Sequence, residues 1–474
     1  MSSDLSRRQF LGSTCCAAVG ATGLLSSLAT LRLMGAVASP ANGPQLPARA
    51  GALPSDYKAL VCLFLNGGND ANNLIIPNDD AGYNAYVAAR SNLALPRTGL
   101  LPLAPKTPDG RSWALHAAVP ELHSLFNSGK AALLANVGTL VYPTTRAQYL
   151  ANSVPLPRQL FSHSDQQVQW QNSVPDKPSS TGWGGRLADL VNAFNSNNEI
   201  SMSISLAGKN YFQVGKTVNQ YAVGTGGAVT LTGSTATAGA DFARFQTQKD
   251  LFGQSQAALF DAAFAGISKS AITDAELLNT VLSRSTAINT PFPANNNAAN
   301  QLRMAARLIA AAPNLGLKRQ VFFVQLGGWD THAAQLLNAA PTTGTHATLL
   351  SQVSQAVDAF YKAMVEIGAA DQVTLFSSSD FGRTYRSNGD GSDHGWGNHQ
   401  FIVGGAVKGG DLYGRMPVLT VGGPDDTTQG RWIPTTSVDE FAATLATWFG
   451  VSPTDLSTVL PNIGRFPKPS LGFL

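Results

Sequence analysis

The sequence predicts an α/β fold: a doubly wound, mostly parallel sheet flanked by helices, with an inserted helical cap. Short continuous apolar runs recur at 59–65, 131–137, 320–326 and 372–377, the pattern of strands buried on both faces. Stretches with apolar residues at helical spacing lie between several of them and stop at glycine, as at 119–126 before Gly129 and 347–367 before Gly368. Strands that alternate with helices favour a parallel sheet, because each crossover has room for a helix.

In chain order, the run 59–65 is the first strand, and it holds Cys62 as a buried core thiol. A helix over 119–126 leads into the strand 131–137, and 201–206 is a candidate third strand. Residues 224–239, rich in Gly, Thr and Ala, have no periodicity and read as a surface loop. Residues 242–312 read as two or three helices broken by the Pro- and Asn-rich stretch 290–297, so 207–315 is expected as an insertion. Strands at 320–326 and 372–377 bracket the long helix 347–367, and a strand at 401–405 and a helix at 438–449 complete the alternation. The domain so defined runs from 57 to 474, and no repeat of 20 to 50 residues interrupts it.

The N-terminus carries an address. Ser6-Arg7-Arg8-Gln9-Phe10-Leu11 has the paired arginines and following apolar pair of a twin-arginine export signal. No charge follows until Arg32, and Ala36-Val37-Ala38 offers the small residues of a cleavage site, so 1–38 is expected to be removed. Residues 39–56, rich in Pro, Ala and Gly, read as a linker. The expected location is therefore the periplasm or beyond, with the twin-arginine machinery as a partner and no stable membrane insertion after cleavage. Cys15 and Cys16 lie in the signal, which leaves Cys62 unable to form an internal disulfide.

Composition narrows the partners. Charged residues make up 13% of the 474, about half the usual share. The formal charge is +3, and losing Arg7, Arg8, Arg32 and Asp4 with the signal leaves +1. Nucleic-acid binders carry a clustered basic excess, and none is present.

Three strands share one feature: a carboxylate beside glycines just past the carboxyl end. Leu65 is followed by Asn66-Gly67-Gly68-Asn69-Asp70, and Leu326 by Gly327-Gly328-Trp329-Asp330-Thr331-His332. Ser377 is followed by Ser378-Ser379-Asp380-Phe381-Gly382-Arg383. Ligands of open α/β sheets bind at those ends, and converging acids repel one another unless a cation neutralises them. His332, His394 and His399 accompany the acids, the latter two in Asp393-His394-Gly395-Trp396-Gly397-Asn398-His399. Mixed carboxylate and imidazole donors suit zinc or manganese, and carboxylate-rich pockets suit harder ions such as calcium. One or two divalent ions are expected on Asp70, Asp330, His332, Asp380, His394 and His399. His116 and His123, seven residues apart on a helix, read as structural.

With these motifs in place, the chain resembles an exported bacterial family catalogued as domain of unknown function 1501. That family is similar to the alkaline phosphatase and sulfatase-like superfamily of metal-dependent hydrolases. The resemblance implies that Asp70 holds a metal beside the nucleophile and that Asp330 and His332 serve a second metal, with His394 or His399 as the late imidazole. Asp380 falls where the superfamily has an Asp-His pair, and Phe381 replaces the His. His346 would support the ligands from the start of the next helix.

The superfamily's nucleophile sits at a helix start, where the dipole favours anions. Phe161-Ser162-His163-Ser164-Asp165 precedes a helical pattern, so Ser162 and then Ser164 are the expected nucleophiles, with Thr144 and Thr145 as rivals. Arg383 is expected to steady a phosphate or sulfate with its planar fork. Two function classes follow: a hydrolase of small-molecule or glycan esters of phosphate or sulfate, or a non-catalytic exported protein that binds glycan, polymer or a protein partner.

Overall fold

A computed structural model describes residues 52–196, 199–336 and 340–474. The signal and most of the linker fall outside the described residues.

The chain contains β1 (Lys58–Leu65), β2 (Ile75–Pro77), β3 (Leu101–Pro102), β4 (Trp113–Leu115) and β5 (Ala131–Gly138). Then come β6 (Ser203–Ser205), β7 (Tyr221–Gly224), β8 (Gly227–Ala228), β9 (Arg319–Leu326) and β10 (Val373–Ser379). The last three are β11 (Asn398–Gly404), β12 (Leu412–Tyr413) and β13 (Thr436–Ser437). Ten of them form one sheet in the order β12-β5-β11-β10-β1-β9-β6-β7-β8, with β13 also on β5. The centre, β10-β1-β9-β6-β7, is parallel throughout, and β11 is antiparallel to both neighbours. The sheet is thus mixed and mostly parallel, with helices on both faces. A second, small antiparallel sheet, β2-β4-β3, was not foreseen, because strands of two or three residues leave no periodicity to read.

The expected strands appear within a few residues of their predicted bounds, for one physical reason. β1 and β5 are buried along nearly their whole length and β9 almost so, hence they must be apolar on both faces. The expected insertion is more varied than a cap. Within it β7 and β8 extend the sheet, and the helix Asn297–Ala310 packs on β9 and on the helix Thr345–Glu366. The helices Ala240–Gly253 and Leu259–Arg284 pair with each other. Cys62 is buried and free, and burial pushes its thiol up to about 12, as an inert core residue requires.

Register places the chemistry. Leu65 lies opposite both Leu326 and Ser379, so β1, β9 and β10 end level at one edge. Because β11 runs the other way, its start arrives at that same edge, and the loop leading into it delivers Asp393 and His394 there. Gly67 has φ +123°, and a Cβ on it would collide with the backbone of Trp329 and Asp330. Only glycine lets the β1 and β9 loops come so close.

Candidate metal centre

The helix His163–Asn172 starts beside the end of β10, and there His163 meets three groups named above. Its Nδ1 lies 2.7 Å from Asp380 Oδ2, and its Nε2 lies 3.4 Å from Asp330 Oδ1. His394 Nε2 is 3.7 Å from that same Asp330 oxygen and 2.6 Å from His332 Nε2. Ligand atoms from His163, Asp330 and His394 all lie within 4.8 Å of one another, close enough to share one ion.

Each imidazole is tied at Nδ1 to an oxygen that can only accept. For His163 it is Asp380 Oδ2 at 2.7 Å, for His332 Asp393 Oδ1 at 3.0 Å, and for His394 the Phe161 carbonyl at 2.5 Å. Nδ1 therefore carries the hydrogen, and in the neutral ring Nε2 presents a lone pair. Burial, helped by the charges of His163, Arg383 and His332, pushes His394 down to about 4 against the pull of the Phe161 carbonyl, so it is neutral at pH 7. Three Nε2 atoms thus converge on one carboxylate oxygen. Such a set holds together only around a cation, whether a proton or a metal ion. His163 Nε2 is buried without a hydrogen-bond partner, the orphan that a ligand to metal would be. The residues fit a divalent ion.

The surroundings hold these rings in place. Phe161 adopts φ +75°, a left-handed conformation costly for a bulky residue, and its carbonyl receives His394. Asp380 is buried and also accepts from Gly67 N at 3.0 Å and from Gln167 Nε2 at 2.8 Å. The Phe381 ring lies 4.7 Å from His163 and 4.6 Å from His394, centroid to centroid. Phe381, in the loop after β10, thus packs its phenyl ring against both imidazoles, one of which arrives on a helix start. Burial raises the Asp330 carboxyl, but the hydrogen bond and charge of Arg383, with His163 and His332, hold it below the usual range.

The expected site residues divide. Asp330, His332, Asp380 and His394 are brought together, with Asp380 as the partner of His163. Asp70 and His399 are not. Asp70 is fully buried in an ion pair with Arg90 and accepts from Gln335 Nε2 at 2.8 Å, so its charge is already neutralised. His399 points the other way along β11, where its Nδ1 accepts from Asn136 N at 3.0 Å. Burial holds it neutral, down to about 4. His346 is buried against Asn69 Oδ1 at 3.0 Å. Arg383 is no clamp for a substrate. Its buried guanidinium donates to the carbonyls of Gly67, Gly68, Trp329 and Ser392 and to Asp330 Oδ1, and so it laces the loops together.

Ser162 ends the loop before the helix and does not cap it. Its Oγ donates to Asp165 Oδ2 at 2.6 Å and lies 3.2 Å from Ser164 Oγ. Thr145 caps its own helix, and Thr144 Oγ1 donates to the Tyr142 carbonyl, so the rivals are occupied locally. His163 escaped the sequence reading because it follows no strand. Its position between the two serines already on view was the signal.

A family model for proteins of unknown function, DUF1501, matches residues 57–460. The chain belongs to that family. No curated protein matches it in sequence. Solved structures similar to it include a protein in the alkaline phosphatase superfamily from Vibrio parahaemolyticus, at 10% identity, covering 93% of this chain and 78% of that one, TM-score 0.36. The C-terminal periplasmic domain of EcEptC from Escherichia coli matches at 12% identity over 90% and 93% of the two chains, TM-score 0.36. The PsFucS1 sulfatase from Pseudoalteromonas sp. matches at 11% over 83% and 68%, TM-score 0.32. The chemistry of this DUF1501 protein is read from its own side chains. Among the described residues no helix is long and apolar enough to cross a membrane.

Proposed function

We propose that this DUF1501 protein is an exported, metal-dependent hydrolase of phosphate or sulfate esters, small-molecule or glycan. The observation that carries the reading is the convergence of three Nε2 atoms on Asp330, each ring fixed by an oxygen at Nδ1. His163, Asp330 and His394 would hold one divalent ion, with His332 beside them. An imidazole-rich set favours zinc, or manganese, over calcium, which prefers six to eight oxygens. The buried Asp70–Arg90 pair gives no support to a second ion there. The Arg7-Arg8 signal supports export by the twin-arginine route.

A bound divalent cation would supply charge against the oxygens of the transferred group. The chain's own residues supply the rest. Ser162 Oγ is the nucleophile, and Asp165 Oδ2, already accepting its hydrogen at 2.6 Å, takes the proton as the bond to phosphorus or sulfur forms. The bond to the ester oxygen breaks, and the departing alcohol takes a proton from water. Asp165 passes its proton to the hydroxide left by that water. A second water then attacks the serine ester and gives its proton to Asp165, which hands it to the departing Ser162 oxygen and restores the hydroxyl. Arg383 keeps Asp330 in place and deprotonated throughout.

Elemental analysis of protein purified after export should find close to one zinc or manganese per chain, and a panel of phosphate and sulfate monoesters should reveal turnover that Ser162→Ala removes. Metal-loaded protein that cleaves no ester in the panel would overturn the enzymatic reading and favour a binding role. Protein without metal, with a melting temperature indifferent to added zinc or manganese, would overturn the metal reading.

A further inference from the structure

Two guanidiniums touch residues of the histidine cluster, and one of them is not spent. Arg383 is buried, with its donors committed to loop carbonyls and Asp330. Arg431 is half-buried. Its Nε donates to the backbone carbonyl of His394 at 2.7 Å, and its guanidinium carbon lies 4.8 Å from the centroid of the Phe161 ring. Nη1 and Nη2 have no hydrogen-bond or ion-pair partner among the described residues.

This placement is specific. Phe161 precedes Ser162, and its carbonyl accepts from His394 Nδ1. Arg431 is therefore fastened at once to the segment that bears the candidate nucleophile and to the segment that bears an imidazole of the cluster. It also lies within electrostatic reach of Asp393: burial raises that carboxyl, and hydrogen bonds from Asn388 and His332, with the charges of His332 and Arg431, bring it below the usual range. A guanidinium fixed at one edge and stacked on one face has already lost most of its freedom, so little ordering cost remains when a ligand meets the other edge.

Charge supplies the second half. The acids around the cluster are Asp165, Asp330, Asp380 and Asp393, and they would repel an anionic ester. Of the two cations in contact, Arg383 is hidden and Arg431 is open. We propose that Arg431 is the substrate-anion clamp, its Nη1–Nη2 edge binding two oxygens of a tetrahedral monoester group, phosphate or sulfate, presented to Ser162. The assignment rests on the hydrolase reading and deepens it, because it selects anionic monoesters over neutral esters.

Calorimetric titration of the zinc-loaded full chain with inorganic phosphate, and separately with inorganic sulfate, tests the clamp in wild type, Arg431→Gln and Arg431→Lys. Metal content is measured alongside. Arg431→Gln should keep its metal and bind the preferred anion about 10- to 100-fold more weakly, as loss of charge-assisted hydrogen bonds implies. Arg431→Lys should recover only part of that affinity, because a point charge cannot grip two oxygens as a fork does. The anion that wild type binds more tightly names the ester class. Equal affinity in wild type and Arg431→Gln at equal metal content overturns the clamp and leaves the metal reading intact, and so does wild type that binds neither anion. Should Arg431→Gln fail to fold, Arg431→Lys decides: several-fold weaker binding upholds the bidentate grip and unchanged binding overturns it. Should wild type carry no metal, the hydrolase reading falls by itself. The same titration on the metal-free chain then upholds the clamp if anion affinity depends on Arg431 and overturns it if not.

Discussion

Asp70 and Asp330 look alike in sequence and meet opposite fates in the fold. Each follows a buried parallel strand through a pair of glycines, and the two strands are neighbours whose ends are level. Asp70 turns inward. It is fully buried, paired with Arg90, and shares its remaining capacity with Gln335 and Asn72. Asp330 stays half exposed, and the groups that gather on it are imidazoles with lone pairs and one buried arginine. The first arrangement is complete and contributes to holding the fold. The second leaves carboxylate and imidazole donors facing one another at an accessible edge, and that convergence makes it a site. A strand-end carboxylate therefore marks a functional edge without saying which carboxylate works there. The partner decides.

The comparison breaks first at Arg90. Removing one member of a buried ion pair leaves the other charged and unsolvated, so Arg90→Leu should cost about 3–5 kcal/mol in chemical unfolding. Arg90 also donates to Asn73 Oδ1 and the carbonyls of Thr384 and Tyr385, and losing those bonds acts in the same direction. At the other carboxylate the balance reverses. His163→Ala or His394→Ala should weaken zinc binding at least about 100-fold, roughly 2.7 kcal/mol, while the metal-free protein keeps its unfolding midpoint to within about 1 kcal/mol. A zinc affinity unchanged in both variants would remove these histidines from the site. A metal-free His163→Ala protein destabilised as strongly as Arg90→Leu would mean that the cluster is structural after all.

Acid probes chiefly the buried compartment, with His394 of the cluster adding to the same loss. His116 and His399 are held down to about 4 and His346 to about 3, in each case chiefly by burial, against an ordinary 6.5. The folded state therefore keeps these rings neutral where the unfolded chain takes up protons. Stability is fully present above pH 6.5 and is lost as the pH falls from 6.5 toward 4. At pH 5 the loss is roughly 2 kcal/mol for each imidazole. Urea unfolding at pH 7 and pH 5 measures the total, and His399→Gln should remove one share of it. An identical drop in wild type and His399→Gln would show that His399 titrates normally.

How far the sequence could be read follows from the same division. Apolar runs mark β1, β5, β9 and β10 because these strands are covered on both faces, which leaves no room for exposed polar alternation. β11 begins three residues earlier than its apolar run, because Asn398, His399 and Gln400 are buried with partners: His399 on Asn136 and Gln400 on Ser377. Polarity satisfied across the sheet is invisible along the chain. The edge where the acids gather was legible from strand ends and glycines. That Asp70 faces Arg90, twenty residues away on the helix Asp80–Arg90, was not, since only packing puts the pair together. His163 lay hidden for the opposite reason. It arrives on a helix start, outside the strand-end pattern, and its role is set by Asp380, which is 217 residues distant in sequence.

The finest test concerns His332, whose ring touches His394 yet stands outside the tightest group of donors. Its Nδ1 is held by Asp393 Oδ1 at 3.0 Å, and Asn388 donates to that same oxygen. Asp393→Asn keeps an acceptor at that position and removes the charge, so the ring should stay oriented while its Nε2 becomes a poorer donor. Carboxylates behind ligating imidazoles are worth about 10- to 100-fold in metal affinity, and loss of charge alone belongs at the lower end, about tenfold or roughly 1.4 kcal/mol. Competition with a colorimetric zinc chelator reads a change of that size. A tenfold loss places His332 in the coordination with His163, Asp330 and His394. An affinity unchanged within about twofold leaves those three as the protein ligands and returns His332 to the rim, where its Nε2 would accept a hydrogen bond from water or substrate instead.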